Sequence, residues 1–302
     1  MKIIFRIAFG FGTLALLSVE NSADAQRVFF YSNAVIDYTT PDGAVVGYAS
    51  PDDLLNKANG ANPSVSLVAQ GYIGYTVYVY NKSNFSVADG YINGGIDSYN
   101  NSVVTISGGS LYLSLEARDS SIDNVYGGKI GGIYTQNSGT VNFIGGMNGG
   151  SLSARNTSLL NLIGGKTLGQ LDSFNASTVN LSGGTIGSSL SAYNDSVINI
   201  SGGSLSGNFY AQDNGSLNFF GKGIKAALVD PNYRGYFSEY ALSGNLLDGT
   251  NLTGKFLNIR NGVSAKFTIT NVPEPGSVAL FVSMTAAGGL LAFRRRVKRS
   301  CI

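Results

Sequence analysis

Two acidic side chains and a nearby arginine are the residues of this chain best placed to do chemistry. Asp97 and Glu116 lie 19 positions apart, and Arg118 follows Glu116 by two. If the chain repeats with that period, the two carboxyl groups sit about 5 Å apart at the backbone of neighbouring strands. Retaining glycosidases use a pair of carboxyl groups at such a separation. The alternative is two solvated charges on an exposed face.

A second set of side chains with similar spacing could bind a sugar polymer. Flat aromatic and guanidinium faces can stack on sugar rings. The alternative is exposed aromatic residues that serve as cross-strand packing. We call this set the glycan strip, and its column also holds Gln136 and Gln212. The strip consists of Tyr80, Tyr99, Arg118, Arg155, Phe174 and Tyr193.

Composition excludes several other kinds of site. The chain has no His and a single Cys, Cys301, so His-based acid–base chemistry, zinc sites and an internal disulfide are not expected. The formal charge of +2 comes from the two ends, and the middle of the chain lacks the basic surface of a nucleic-acid binder. The sequence predicts no cofactor.

The spacing of both sets follows from an internal repeat. Six of the seven intervals are 19 residues and one is 18, with units aligning at Ser83, Ser102, Ser121, Gly139, Ser158, Ser177, Ser196 and Gly215. In most units an apolar, a polar and an apolar residue follow one another, as in Val179-Asn180-Leu181. This is the period of a strand with one buried face. A second short strand recurs in the column from Val77 to Phe209.

Turn residues also repeat. A Gly-Gly pair marks one corner of most units, and Asn or Asp marks another, as at Asn175 and Asn194. A unit of this size cannot bury its own core, but stacked copies can. We therefore expect an all-β fold, a parallel β-helix (β-solenoid) with 19-residue coils and right-handed winding. Residues 77–223 form the repeats, and residues 26–76 and 224–271 form short β caps.

Residues 1–25 have the features of a secretory signal peptide. Lys2 and Arg6 precede an apolar stretch, and Ala23 and Ala25 form an A-x-A cleavage site. The stretch is short for a membrane span. The alternative is a buried core helix.

The C-terminal residues 272–302 have three parts in a fixed order. Pro273, Glu274 and Pro275 come first, and an apolar run over 278–293 follows. A helix over 277–293 would be about 25 Å long, enough for a thin membrane. The run ends in a basic cluster that should remain cytoplasmic, made of Arg294, Arg295, Arg296, Lys298 and Arg299.

This order resembles the PEP-CTERM sorting signal. The resemblance implies that Pro273, Glu274 and Pro275 are recognised by an exosortase-type membrane protease, and that the C-terminal transmembrane helix anchors the chain before processing. Hosts of that family tend to make extracellular polysaccharide. The whole layout resembles PEP-CTERM proteins with autotransporter-like β-helix repeats. A permanent single-pass anchor, as in a surface adhesin, is the alternative.

Two functions follow as expectations. The first is an exported, non-enzymatic protein of the cell surface or extracellular matrix that associates with exopolysaccharide. The second is a polysaccharide-active β-helix lyase or hydrolase that uses Asp97 and Glu116.

Overall fold

The computed structural model describes residues 64–68, 71–74, 76–80, 82–262 and 264–272, together with the backbone of three strands upstream, β1 (Leu17–Ser22), β2 (Ala25–Phe30) and β3 (Ala34–Ile36). All the regular secondary structure of the described residues is β-strand, and none of it is helix. The chain winds as a β-solenoid of about eight turns of about 19 residues, which confirms the all-β solenoid predicted from the repeat.

Each turn contributes short strands to three parallel stacks. Stack one contains β3, β4 (Ser64–Leu67), β7 (Asn84–Val87), β10 (Val103–Ile106), β12 (Ile122–Val125), β14 (Thr140–Phe143), β17 (Leu159–Leu162), and the first residues of β20 (Thr178–Ile186), β22 (Val197–Leu205) and β24 (Ser216–Tyr233). Stack two contains β5 (Tyr72–Ile73), β8 (Tyr91–Ile92), the first residues of β11 (Ser110–Ala117) and β13 (Lys129–Thr135), β15 (Met147–Asn148), β18 (Lys166–Thr167), and the last residues of β20 and β22. Stack three contains β6 (Val77–Val79), β9 (Ile96–Ser98), the last residues of β11 and β13, β16 (Leu152–Ala154), β19 (Leu171–Ser173), β21 (Leu190–Ala192) and β23 (Phe209–Ala211).

The core is built from columns of like side chains, as the alternating pattern predicts. The inward column of stack one that runs from Phe85 to Leu217 is buried in every turn, and so is the column of stack three that runs from Val77 to Phe209. Successive members pair in register, for example Val179 with Ile198. One member of the first column is polar, because Asp123 takes the place of an aliphatic residue and is fully buried.

Two corners of each turn depend on residues that tolerate a left-handed backbone. At Gly184, φ is 84°, and a Cβ there would approach the Gly164 carbonyl oxygen of the previous turn to 2.7 Å. At the other corner Asn or Asp adopts a similar conformation, with φ of 54° at Asn194. These are the two corner types predicted from the sequence.

A ladder of side-chain amides runs along the outside of stack one. From Asn142 onward, each Nδ2 donates to the Oδ1 of the amide in the preceding turn, at 2.8 or 2.9 Å. The ladder satisfies these half-buried amides internally, which supports a structural role for the column. Its members are Asn124, Asn142, Asn161, Asn180, Asn199 and Asn218.

The two ends of the solenoid differ. Stack one begins at β3, whose backbone pairs in parallel with β4, and stack two begins at Tyr72, both upstream of residue 77 where the sequence places the first repeat. Near the other end, β24 forms an antiparallel hairpin with β25 (Phe237–Leu246). Beside it, β26 (Lys255–Arg260) extends stack three and β27 (Lys266–Asn271) extends stack one. Among the described residues, no helix has the length and apolar character needed to cross a bilayer.

Candidate functional site

The glycan strip lies along one edge of stack three. Its side chains follow the last residue of each strand by one position, and the backbone registers place them in successive turns. Gln136 occupies the turn between Arg118 and Arg155, so the column is continuous. All of the strip's side chains are at least partly accessible, and Arg155 is exposed.

Within the strip, the flat groups stack on one another. The rings of Tyr80 and Tyr99 lie parallel with centroids 4.7 Å apart, and the Arg118 guanidinium lies 5.4 Å from the centroid of Tyr99. The C-terminal half of the strip has the same arrangement in reverse order, with the arginine first and the two stacked rings after it. There the Arg155 guanidinium lies 5.4 Å from the centroid of Phe174, whose ring stacks on Tyr193 at 4.7 Å.

This stacking changes what the strip can offer a ligand. Both faces of the Tyr99 ring are covered, by Tyr80 and Arg118, and both faces of Phe174 are covered by Arg155 and Tyr193. Sugar rings therefore cannot stack on those faces in the way the sequence suggests. What faces solvent is a row of ring edges and polar ends, spaced by about 4.8 Å along the axis.

The carboxylate pair stands in the column beside the strip. Asp97 and Glu116 are register neighbours, as predicted. Glu116 forms a 2.6 Å ion pair with Arg118 and accepts a hydrogen bond from Gln136 Nε2. Burial raises the pKa of Asp97 to about 6, and the neighbouring Glu116 carboxylate adds to the rise.

The pair is thus asymmetric. Glu116 contacts a cation and an amide donor, whereas burial and the neighbouring Glu116 let Asp97 retain its proton to a higher pH than an ordinary aspartate. Burial also raises the pKa of Tyr99 to about 12, and the nearby Asp97 carboxylate contributes. A carboxyl group whose pKa is raised by burial is the kind of group that general acid catalysis requires.

Two polar side chains acquire a role only in the structure. Gln136 ties Glu116 to the strip, although its sequence position indicates nothing more than membership of the column. Asp172, three turns from Glu116 in the same column, is buried and accepts a 2.5 Å hydrogen bond from Gln170. Burial raises the pKa of Asp172. In the sequence, Gln136 and Asp172 are recognisable only as polar residues at outward positions of their columns.

The remaining predicted residues belong to the two ends of the chain. Ala23, the sorting residues Pro273, Glu274 and Pro275, the helix over 277–293 and the basic cluster all lie outside the described residues. Ala25 is the first residue of β2, whose backbone pairs with β1. Within the described part of the chain, no group of three or more acidic, Cys or His side chains is placed to hold a metal ion.

Comparisons with protein-family models, with curated proteins and with solved structures found no significant match to this chain.

Proposed function

We propose that this chain is an exported, non-enzymatic protein of the cell surface or extracellular matrix, and that its right-handed solenoid holds extracellular polysaccharide along the glycan strip. The observation that supports polysaccharide binding is the unbroken column from Tyr80 to Tyr193. It presents ring edges and polar ends over seven successive rungs, a length of roughly 30 Å. A site of that length suits a polymer, because a single sugar would meet only one or two rungs. The proposed role requires no cofactor, metal or nucleic acid.

Binding through ring edges makes a distinctive prediction for the tyrosines. Replacing Tyr99 and Tyr193 by Phe keeps the stacked column but removes the phenolic hydroxyls. We expect the double variant to bind an extended polysaccharide at least about tenfold more weakly. Tyr112, which is 64% exposed and lies outside stack three's outward columns, provides the matched control as Tyr112→Phe. Affinity electrophoresis in gels that contain neutral or acidic polysaccharides measures the effect. Unchanged migration of the wild-type chain in every gel would contradict the proposal.

Export and sorting are proposed on the two ends of the sequence. Residues 1–25 act as the signal peptide, with cleavage after Ala25, and the tail acts as a PEP-CTERM-type signal. An exosortase-type protease would recognise Pro273, Glu274 and Pro275 while the C-terminal helix holds the chain in the membrane. Mass spectrometry of the C-terminus of surface-extracted protein tests this. A mature chain that still ends at Ile302 would favour the permanent anchor of a surface adhesin.

A second candidate function is supported by the asymmetric carboxylate pair. Asp97 would act as the acid of a polysaccharide hydrolase or lyase, with the Arg118-bound Glu116 as its partner. A screen for reducing ends or unsaturated products on acidic and neutral polysaccharides tests this. Asp97→Asn should abolish any turnover, while Asp172→Asn, in the same column but away from the pair, should not. Turnover that Asp97→Asn abolishes would replace the non-enzymatic proposal.

A further inference from the structure

The outward surface of stack one differs from the rest of the solenoid because it carries no charge over eight successive turns, up to Lys266 of β27, which pairs with Ser216 at its end. Each strand of stack one turns three side chains outward: the ladder residue, the residue two positions before it and the residue two positions after it. From Asn84 to Phe220, none of these positions holds Asp, Glu, Lys or Arg. We call this surface the amide face. Stack three, by contrast, carries Asp97, Glu116 and Arg118 on its outward side.

The central column of the amide face can lose water at low cost. Asn161, for example, donates to Asn142 and accepts from Asn180, both at 2.8 Å. Each amide from Asn142 to Asn218 therefore already has a partner for one donor and one acceptor inside the same chain. Removing a polar group from water is costly chiefly when its hydrogen bonds are left unmade. The ladder reduces that cost.

The columns on either side of the ladder expose apolar side chains. Ile122 is 42% exposed, Tyr126 55% and Ile163 49%. The same columns also hold half-buried aliphatic residues such as Leu159 and Val197. Exposed apolar groups that line one flat surface mark an interaction site more often than scattered ones do.

We infer that the amide face binds the same face of a second copy of this chain, in a two-fold symmetric dimer. A two-fold interface places identical surfaces against each other, so it must avoid like charges. The uncharged amide face meets that condition, whereas the charged outward side of stack three does not. Eight rungs and five residues give a flat surface on the order of 600 Å² before side-chain relief is counted. This approaches the roughly 800 Å² that each partner buries in a standard interface.

The inference goes beyond the proposed function and does not depend on it. Two sheets packed face to face lie about 10 Å apart. In the dimer the flanking aliphatic columns would meet while the two ladders stay hydrogen-bonded along their own axes. The charged outward side of stack three, with the glycan strip, would be left accessible on each copy.

Two variants of nearly equal exposure test the dimer. Ile163 is 49% exposed on the amide face, and Leu168 is 48% exposed at a corner outside it. Ile163→Lys places an unpaired charge in the interface twice, because of the symmetry, and should weaken dimerisation at least about tenfold. Leu168→Lys should leave it unchanged. Sedimentation equilibrium of the full chain, in a density-matched nonionic detergent and over a range of concentrations, measures both.

Each outcome decides the inference. A wild-type dimer that Ile163→Lys dissociates and Leu168→Lys preserves supports it, provided that both variants keep the wild-type thermal midpoint. If Ile163→Lys lowers that midpoint, Ile122→Lys, which changes a different column of the same face, takes its place. A wild-type chain that remains monomeric at every concentration overturns the inference, and so does a dimer that neither amide-face variant weakens. If this face bound a neutral polysaccharide and not a second copy, the wild-type chain would be monomeric. A gel that contains the polysaccharide would then retard the wild-type chain but not Ile163→Lys.

Discussion

Asp123 lies inside the solenoid, where its neighbours in the column above and below are Val104 and Val141. Its side chain is fully buried, and burial raises its pKa to about 8. The Asp97 carboxylate nearby adds to the rise, and the hydrogen bond with Ser98 opposes it. The folded chain therefore carries Asp123 as a neutral carboxylic acid at neutral pH.

The hydrogen bonds around Asp123 fit the neutral form. Ser98 Oγ lies 2.7 Å from Asp123 Oδ1, 2.9 Å from Ser121 Oγ and 3.3 Å from the Glu116 carbonyl oxygen. A serine has a single hydroxyl hydrogen and cannot donate to all three. If Asp123 donates its proton to Ser98, the serine hydrogen is free for another acceptor. The ionised form would have one oxygen, Oδ2, with no partner among the described residues.

The proton makes stability depend on pH with a definite sign. In the unfolded chain Asp123 ionises near pH 4, whereas in the folded chain it ionises near pH 8. Between these values only the folded state holds the proton, so the contribution to stability falls by about 1.4 kcal/mol per pH unit. It is fully present below about pH 4 and lost by about pH 8. From pH 5 to pH 7 the loss from this one group is about 2 to 3 kcal/mol.

Asp123→Asn removes the proton equilibrium while keeping the shape of the neutral acid. We expect the free energy of unfolding of the Asn variant, relative to wild type, to rise by about 1.4 kcal/mol per unit from pH 5 to 7 and to level off above pH 8. Asp123→Val, which matches its column neighbours, should also exceed wild type at pH 7, since Ser98 and Ser121 can still bond each other. Urea unfolding followed by far-UV circular dichroism at pH 5, 6, 7 and 8 gives the differences.

A control separates Asp123 from the other acid with a raised pKa. Asp97 contributes in the same direction, but its contribution is lost near pH 6, so Asp97→Asn should remove only the part of the slope below that pH. The reasoning about Asp123 is refuted if wild type and Asp123→Asn keep a constant difference in stability between pH 5 and 8. In that case the carboxyl group is already charged when buried, or the fold opens around it.

Three further changes test the site and the repeat. Glu116→Gln should lower the pKa of Asp97 below about 6 and Arg118→Gln should raise it, because the two charges act on Asp97 with opposite sign; carbon-13 NMR titration of the carboxyl group reads both. Asn180→Ala breaks two ladder hydrogen bonds, at 2.8 and 2.9 Å, and should cost about 1 to 2 kcal/mol in urea unfolding. Deleting Leu113, at a corner, should preserve the fold, whereas deleting one residue inside β10 should destroy it; circular dichroism and limited proteolysis distinguish the two.

The sequence predicts the columns of stacks one and three because each turn repeats the same local requirements. Val179, Asn180 and Leu181 alternate as a strand needs, and Gly184 and Asn194 supply backbone conformations that other residues adopt at a cost. Stack two is harder to find. Its strands are often two residues long, too short for an alternating pattern, and its inward column changes from aliphatic to polar at Asn148 and Thr167.

The sequence predicts which residues of the candidate site share a column, but not how their side chains are oriented. Register places Asp97 beside Glu116 and lines up the strip, and the structure agrees on both points. Whether a ring turns its face or its edge to solvent depends on side-chain rotamers and on the neighbour one turn away. The covered faces of Tyr99 and Phe174 therefore could not be deduced from their spacing.

The single 18-residue interval shows why the columns survive a change in length. Ser110 pairs with Lys129, but Ser114 pairs with Gly132, so the register shifts by one residue at the corner between Leu111 and Ser114. Tyr112 and Leu113 are exposed there, and the shift alters no inward column. A one-residue slip within a strand would instead exchange the buried and exposed faces of that turn. Changes in length are thus confined to corners, while the ladder, the strip and the amide face stay in register across them.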